Sequence, residues 1–164
     1  MQFGKNIKYI LNVENGFRDP ESPDMISDGP IDITWCGTEE SKKKRRAGFV
    51  AFSGAADAVA VRRWGRKRRQ EVLKRLALVY PRVRYRALNG RFMDWLTDPW
   101  TKGSYSFPTT KEVTRVGPLM QGCFQGRLHF AGEHTCYAFT GYMEGALRSG
   151  LRVAEQIARR DGVI

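Results

Sequence analysis

The 164-residue sequence predicts a mixed α/β fold, in which helices pack on a strand-rich middle region. Three observations carry this prediction. Ile7–Val13 is rich in residues that favour β-strands. Residues 70–80 repeat apolar side chains at helical spacing. The apolar run Leu128–Ala131 ends at a glycine and is followed by a polar turn and by a helical pattern that starts near Tyr142.

The first half of the chain contains three predicted strands. They are Ile7–Val13, Ile31–Trp35, in which apolar and polar residues alternate, and Gly48–Ser53. Asn15-Gly16 predicts a turn after the first strand. Residues 18–30, which contain three prolines, predict a loop, and the polar residues 38–46 have the composition of an exposed hairpin loop.

Two helices are predicted after Gly54, which breaks the third strand. The first covers Ala55–Val61, and the second covers Gln70–Tyr80 and ends before Pro81. The second helix carries apolar residues on or near one face: Val72, Leu73, Leu76, Ala77 and Val79. We expect such helices to pack on the sheet.

The segments that follow are less regular. Val83–Leu88 predicts a further strand, which Phe92–Trp95 extends. Residues 98–106 predict a loop rich in aromatic side chains. Residues 107–125 are expected to be irregular, with a short helix near Leu119–Gln121.

Positive charge is the most unusual feature of the composition. The net charge is +11 and the isoelectric point is about 10.0, with basic runs at 42–46 and 62–69. Nucleic-acid binding, an acidic partner or membrane surface, and a merely solvated surface would each explain such charge. Because no recognisable nucleic-acid motif accompanies the runs, we expect a solvated loop and an exposed helix face, and we do not expect nucleic-acid binding.

Cysteine and histidine usage argues against a disulfide framework or a metal site. The three cysteines, Cys36, Cys123 and Cys136, lack C-x-x-C spacing, and the chain has two histidines. No apolar run approaches the roughly 20 residues of a membrane span. The N-terminus lacks the apolar core of a signal peptide. We therefore expect no metal, no transmembrane segment and a reducing, cytoplasmic location.

The most specific stretch of the sequence is 127–150: Arg-Leu-His-Phe-Ala-Gly-Glu-His-Thr-Cys-Tyr-Ala-Phe-Thr-Gly-Tyr-Met-Glu-Gly-Ala-Leu-Arg-Ser-Gly. It predicts a buried strand that ends at Gly132, a tight polar turn and a helix that starts at Tyr142. Small residues at the start of that helix let backbone N–H groups approach a ligand, towards which the positive end of the helix dipole points. Such a strand-to-helix turn is a common cofactor site in α/β folds. An ordinary amphipathic terminal helix is the alternative.

The same residues resemble the C-terminal flavin-binding signature of the flavin-containing amine oxidases, a superfamily of monoamine, polyamine and L-amino-acid oxidases. The resemblance implies a partial FAD/NAD(P)-binding-type fold. Residues 1–100 would form part of a substrate-binding domain with a mixed sheet and covering helices. Residues 101–164 would form the C-terminal part of the FAD-binding domain, including its last strand and helix.

The resemblance extends more weakly to the N-terminus, where it gives Lys8 a catalytic role. Lys8 matches a family lysine that reaches the flavin edge through a water. An ammonium group there would assist reoxidation by O2, because it stabilises the developing superoxide charge. Without the resemblance, Lys8 is a solvated strand residue.

Residues 91–108 resemble the family segment in which a tryptophan precedes Gly-x-Tyr. By position, Trp95 is that tryptophan, beside the cofactor, and Tyr105 is that tyrosine. Tyr105 and Tyr142 would then face each other in front of the flavin and guide the amine between two aromatic walls. The alternative is that both tyrosines are ordinary core or surface aromatics.

The resemblance also assigns a set of cofactor-binding residues in the terminal motif: Gly132, Glu133, Gly141, Tyr142 and Met143. Glu133 would lie near the ribityl–pyrophosphate part of FAD, unless it is a capping carboxylate near the helix. The Met143 N–H would bind the pyrimidine oxygen of the flavin, where a helix N-terminus stabilises negative charge. Ser104 stands where mammalian-type monoamine oxidases have the cysteine that bonds to the flavin, so we expect non-covalent FAD.

The implied function is FAD-dependent oxidation of a primary amine or L-amino acid to an imine, with O2 as acceptor and H2O2 as product. The family's Gly-x-Gly-x-x-Gly turn does not occur in this sequence. We therefore expect a complementary N-terminal FAD-binding chain or domain, or a homo-oligomer. The alternative is a non-catalytic fragment, or a basic module that binds nucleic acid or an acidic partner.

Overall fold

A computed structural model describes residues 2–18, 23–38 and 45–164 of the chain. The chain divides into two compact units. The sheet unit comprises residues 5–103, and the terminal unit comprises residues 2–4 together with 104–164. Within the described ranges, no helix is both long enough and apolar enough to cross a membrane.

The sheet unit is built on a four-stranded antiparallel sheet. Its strands are β1 Asn6–Glu14, β2 Ile33–Cys36, β3 Arg46–Gly54 and β4 Ala87–Asp94. The strand order is β2-β3-β1-β4, so β1 lies between β3 and β4. In this register Lys8 pairs with Phe52 of β3 and with Met93 of β4.

Helices connect β3 to β4. They are α1 Ala55–Arg63, α2 Arg68–Val79 and α3 Val83–Arg86, with a 3-10 turn at Gly65–Lys67 between the first two. α2 ends two residues before Pro81, which has no N–H to donate to a continuing helix.

One face of the sheet forms the core together with the helices. Alternate residues of β1 are at most 5% exposed: Ile7, Tyr9, Leu11 and Val13. Leu11 shares a cluster with Val72 and Leu76 of α2. Ile7 packs with Ala58 of α1. The period of two along the strand and the period of 3.6 along the helices therefore present one continuous apolar interior.

The terminal unit consists of short elements and one long helix. In chain order they are a π-helical turn Glu112–Val116, α4 Gly117–Gln121, β5 Cys123–Phe124, β6 Leu128–His129, 3-10 turns Glu133–Thr135 and Tyr137–Phe139, and α5 Met143–Arg160. β5 and β6 pair with each other as an antiparallel two-stranded sheet.

Most predicted elements of the sheet unit are confirmed. The strands near the N-terminus and both longer helices lie within two residues of their predicted bounds at most ends. The turn at Asn15-Gly16 is confirmed, since Gly16 has a φ of 78°. Residues 19–22 of the predicted loop and 39–44 of the predicted hairpin loop, which include most of the basic run 42–46, lie outside the described residues.

The predicted strand at Val83–Leu88 is wrong in its first half. Val83 is fully buried, and its N–H bonds to the Tyr80 carbonyl at 3.0 Å, so the chain makes one more helical turn after Pro81. The strand starts only at Ala87. Val79 is also misplaced by the prediction: it is 49% exposed, because α2 ends there and the chain turns away.

Two predictions for the terminal unit are wrong in detail. Residues 110–121 are helical rather than irregular, because the π-helical turn leads into α4 with Pro118 in its first turn, where a missing N–H is tolerated. The strand at Leu128 is short and Leu128 is 51% exposed, not buried. In the described residues, β6 has β5 as its neighbour and no layer covers Leu128.

Candidate functional site

Glu133 is the centre of the polar network in the terminal unit. Its carboxylate accepts three hydrogen bonds: from the Ser106 N–H at 2.8 Å, from the Ser106 hydroxyl at 2.7 Å and from the Gly141 N–H at 2.6 Å. Those donors come from the segments that carry Tyr105 and Tyr142. The half-buried Glu133 carboxylate therefore holds both of the segments that carry the tyrosines.

The charge of Glu133 is stabilised in this position. Burial by itself would raise the pKa of the carboxyl group. The hydrogen bonds from Ser106 and Gly141 and the nearby charge of His134 outweigh that effect and hold the pKa below its ordinary value. Glu133 is therefore an anionic anchor at neutral pH, and it does not cap α5, which has no side-chain cap.

Gly141, which directly precedes Tyr142, lies against the Tyr105 ring. Its φ of 87° lies in the left-handed region that favours glycine. A Cβ at this position would meet the Tyr105 ring at 3.6 Å, which is ordinary contact. Tyr105 and Tyr142 are 45% and 69% exposed, so both rings remain available to a ligand.

The N-terminus of α5 directly follows Tyr142. The Gly145 N–H bonds to the Tyr142 carbonyl at 3.0 Å and so closes the first turn. No described hydrogen bond involves the Met143 N–H, and the Met143 side chain is 87% exposed. Glycine at position 145 permits the close approach of this first turn to Phe139, because a Cβ there would lie 2.2 Å from the Phe139 carbonyl oxygen.

Two side chains of α5 hold the turn, and sequence reasoning missed both. The Ser149 hydroxyl accepts a hydrogen bond from the Gly132 N–H at 2.8 Å. Arg152 donates to the Phe130 carbonyl at 3.2 Å and to the Gln121 carbonyl. Ser149 and Arg152 are three residues apart, so they lie on one polar face of α5. The sequence prediction considered only the apolar positions of this helix.

Ser106 was also missed. It is 3% exposed and provides two of the three donors to Glu133. A serine beside Tyr105 in an aromatic loop carries no distinctive sequence signal, because its partner lies 27 residues further on. Ser104, the residue considered for flavin attachment, donates its hydroxyl to the Gly4 carbonyl at 2.8 Å.

Lys8 lies in the sheet unit, on the face of the sheet opposite the helices. Cross-strand partners share a face, so the register gives two rows around it: Ile33, Phe52, Lys8 and Met93, then Trp35, Val50, Ile10 and Arg91. The Lys8 ammonium lies 5.7 Å from the centre of the Trp35 ring, and the Trp35 and Phe52 rings are 6.2 Å apart. Neither row contains a carboxylate. The lysine therefore stands on an apolar and aromatic wall.

Trp95 begins a 3-10 turn that directly follows β4, two residues beyond Met93. It lines a cleft of about 570 Å³ in the sheet unit. In that cleft Arg62 pairs with Asp94 at 3.2 Å, and the Arg68 guanidinium lies 4.3 Å above the centre of the Phe92 ring.

The predicted site residues thus fall into two sets. The terminal unit brings together Tyr105, Gly132, Glu133, Gly141, Tyr142 and Met143 through the contacts above. Lys8 and Trp95 belong to the sheet unit. The first set is an ordered turn with exposed aromatic rings and an available helix N-terminus, which suits an electron-rich or anionic part of a ligand.

Comparison with known proteins identifies the class. The family model described as flavin containing amine oxidoreductase matches residues 1–158. The chain belongs to that family. It is 34% identical over 168 residues to a probable flavin-containing monoamine oxidase A from Dictyostelium discoideum, a match that covers 96% of this chain and 35% of that protein. It is 29% identical over 150 residues to the human flavin-containing amine oxidase B, covering 85% of this chain and 28% of the relative.

Solved structures have the same fold. A triple mutant of putrescine oxidase superposes with a TM-score of 0.85 at 23% identity, covering 97% of this chain and 36% of that one. Cyclohexylamine oxidase from Brevibacterium oxydans gives a TM-score of 0.81 at 21% identity, covering 96% and 35%. The predicted mixed α/β fold of partial FAD-binding type is confirmed, and the chain spans about a third of the length of these relatives.

Proposed function

We propose that this chain provides the substrate-facing sheet and the C-terminal flavin-binding turn of an FAD-dependent amine oxidase. Residues 1–100 would belong to the substrate domain and 101–164 to the FAD domain. The observation that carries the proposal is the terminal network, in which Glu133 holds the segments of Tyr105 and Tyr142 beside the Met143 N–H. A protein surface that carries the dinucleotide-binding turn, in another chain or domain, would complete the site.

The residues present fit a flavin. The Met143 N–H has no described partner, and it stands at the positive end of the 18-residue helix α5. It would donate to a flavin oxygen and stabilise negative charge there. Gly132, Glu133 and Gly141 would keep the turn in the shape that admits the cofactor, and Trp95 would flank it.

When bound, the flavin would accept two electrons from the amine and pass them to O2. The overall change is amine plus O2 to imine plus H2O2, and the imine then hydrolyses. Tyr105 and Tyr142 would bind the neutral amine and orient its C–N bond, since holding a reactant in place lowers the barrier. Lys8 would hold a water and stabilise the charge that develops on reduced oxygen.

The wall around Lys8 favours one substrate class within this chemistry. Trp35, Phe52 and Ile10 offer apolar contact, and the two rows contain no carboxylate to pair with a second ammonium group. We therefore favour a primary amine with an apolar body over a diamine. An L-amino acid is the second candidate, because Arg91, opposite Ile10 in the sheet, has no described side-chain partner and would pair with its carboxylate.

We also propose non-covalent FAD and a reducing, cytoplasmic location. Ser104 cannot form a thioether, and its hydroxyl is bound to the Gly4 carbonyl. Cys123 and Cys136 are free thiols. Precipitation of the loaded protein with acid tests the linkage: yellow flavin should remain in solution, and flavin that stays with the pellet would contradict it.

The decisive experiment is reconstitution. The chain is co-expressed with a polypeptide that carries the dinucleotide-binding turn, and the purified complex is examined for flavin absorbance and for amine-dependent H2O2. We expect Tyr142→Ala to lower kcat/KM on the order of tenfold to a hundredfold. The matched control is Tyr137→Ala, because Tyr137 is another exposed tyrosine of the same unit, at 54%, and has no assigned role. The proposal is wrong if the complex binds no flavin, or if the Tyr142 and Tyr137 variants lose equal activity.

A further inference from the structure

The positive charge of the protein is concentrated in one segment of the sheet unit. Residues 62–91 contain ten arginines, two lysines and one glutamate, a net charge of +11. The whole chain also carries +11, so the remaining residues sum to zero. The net excess therefore falls in the segment from the end of α1 to β4, whereas the basic run 42–46 is offset by acidic residues elsewhere in the chain.

Part of this charge is used inside the unit. Arg62 pairs with Asp94 at 3.2 Å, and Arg86 pairs with Glu14 at 3.1 Å. Arg75 pairs with Glu71 and lies over Trp64. These three arginines therefore stabilise the sheet unit itself.

Another set of cations is exposed. The side chains of Lys67, Lys74 and Arg84 make no ion pair or hydrogen bond within the part of the chain that the structure describes. Glu71 lies between the two lysines, and its pKa is lowered by its bond to Arg75 and, to a smaller extent, by the charges of Lys74 and Lys67. Lys67 and Lys74 are seven residues apart, so they lie on the same side of α2. α3, which carries Arg84, packs against α2. Lys67 and Lys74 therefore lie along one side of a helix about 18 Å long, and Arg84 lies on the helix that packs against it.

Large apolar side chains are exposed near these cations in the sequence. Leu78, four residues after Lys74, is 80% exposed, and Tyr85, next to Arg84, is 77% exposed. We call Lys67, Lys74, Leu78, Arg84 and Tyr85 the basic stripe. A surface that combines exposed cations with exposed aliphatic and tyrosine side chains matches the anionic and apolar layers of a lipid interface.

We propose that the basic stripe docks the protein on an anionic lipid bilayer. Lys67, Lys74 and Arg84 bind the negative headgroups, and Leu78 and Tyr85 enter the interfacial layer. Nucleic acid fits less well, because an exposed leucine offers no stacking face to bases. The proposal is independent of the amine oxidase chemistry.

Vesicle co-sedimentation of the full chain tests this proposal. The vesicles contain phosphatidylcholine alone or phosphatidylcholine mixed with phosphatidylserine. We expect binding only to the mixed vesicles, and weaker binding as salt is added. Absence of binding to the mixed vesicles overturns the proposal, as does binding to both kinds with equal affinity.

Matched variants separate the stripe from general charge. Lys67→Ala/Lys74→Ala/Arg84→Ala removes three cations from the stripe and should weaken binding on the order of a hundredfold. Lys111→Ala/Arg115→Ala/Arg127→Ala removes the same charge from exposed positions of the terminal unit and should weaken binding less than about threefold. Equal losses in both variants overturn the proposal, since net charge alone would then explain binding.

The apolar part of the stripe has its own test. Leu78→Ser/Tyr85→Ser keeps every charge and should weaken vesicle binding about tenfold. Circular dichroism spectra and thermal transitions equal to those of the parent protein establish that each variant is folded. Binding of a generic duplex DNA tighter than binding of the mixed vesicles, at equal salt, would overturn the lipid assignment in favour of nucleic acid.

Discussion

The sheet unit and the terminal unit bury different kinds of side chain. In the described residues, every buried apolar side chain belongs to the sheet unit, including Phe49, Leu11 and Leu76, which are 0% exposed. The buried side chains of the terminal unit are polar: Ser106, Thr135 and Ser149. The first unit is held by an apolar core, and the second by a hydrogen-bonded network around a turn.

The same contrast appears on the surfaces. α5 exposes Met143 at 87%, Leu147 at 71% and Leu151 at 63%, although its sequence is amphipathic. An apolar stripe of this kind is normally buried. The terminal unit therefore leaves an apolar helix face exposed, whereas the sheet unit buries its apolar side chains in a core of its own.

The largest expected effect concerns the core of the sheet unit. Phe49→Ala should lower the free energy of unfolding by about 4 kcal/mol, because it leaves a cavity beside Phe17 and Tyr80. Urea unfolding followed by tryptophan fluorescence measures this, since all four tryptophans lie within residues 5–103. The matched truncation Leu147→Ala should change stability by less than about 0.5 kcal/mol. A large loss from Leu147→Ala would mean that a second copy already covers α5.

The second effect concerns two glycines of α5. Gly145→Ala should cost about 2 kcal/mol, because the new Cβ would lie 2.2 Å from the Phe139 carbonyl oxygen. Gly150→Ala meets nothing within 4 Å and should add about 0.5 kcal/mol through helix propensity. Helical circular dichroism during unfolding reports both changes. If both substitutions stabilise the helix equally, residue 145 does not lie as close to the Phe139 carbonyl oxygen as the structure places it.

The smallest effect concerns Glu133. Glu133→Gln should lower stability at neutral pH by about 1.5 kcal/mol, because it removes the charge from three hydrogen bonds. Glu144→Gln, which breaks only an exposed i,i+4 pair with Arg148, should cost about 0.4 kcal/mol.

The Glu133 contribution also depends on pH in a defined direction. The folded-state pKa lies below the ordinary value. The stabilisation is therefore complete above the ordinary pKa and is lost as the pH falls through the lowered folded-state pKa. Unfolding curves of the parent protein should show this loss in the acidic range, and those of Glu133→Gln should lack it. Identical acid profiles would mean that the network does not stabilise the carboxylate.

The fold of the sheet unit followed closely from local patterns. Ile7–Val13 is rich in residues that favour β-strands, and 70–80 repeats at helical spacing; the corresponding elements are β1 and α2. The prediction failed at Val83. There, burial of the side chain and the hydrogen bond to the Tyr80 carbonyl stabilise a helical turn more than local β propensity stabilises a strand. Tertiary packing overrides weak propensity in a segment this short.

The candidate site was only partly accessible from the sequence. The motif around Gly132 and Gly141 pointed to the turn, because strained backbone needs glycine at fixed places. Ser106 and Arg152 carried no such signal. Their roles depend on partners 17 or more residues away, and no local pattern records that distance.

Local sequence patterns were enough to predict the family, most strands and helices of the sheet unit and the glycine and aromatic residues of the terminal motif. These are set by residue type and by local spacing, which act over a few neighbours. Three features are visible only in the folded chain: Glu133 anchors both tyrosine-bearing segments, Lys8 lies beside the Trp35 ring, and α5 exposes its apolar stripe. Those features arise from hydrogen bonds and packing between distant segments, whose energies depend on the folded chain as a whole.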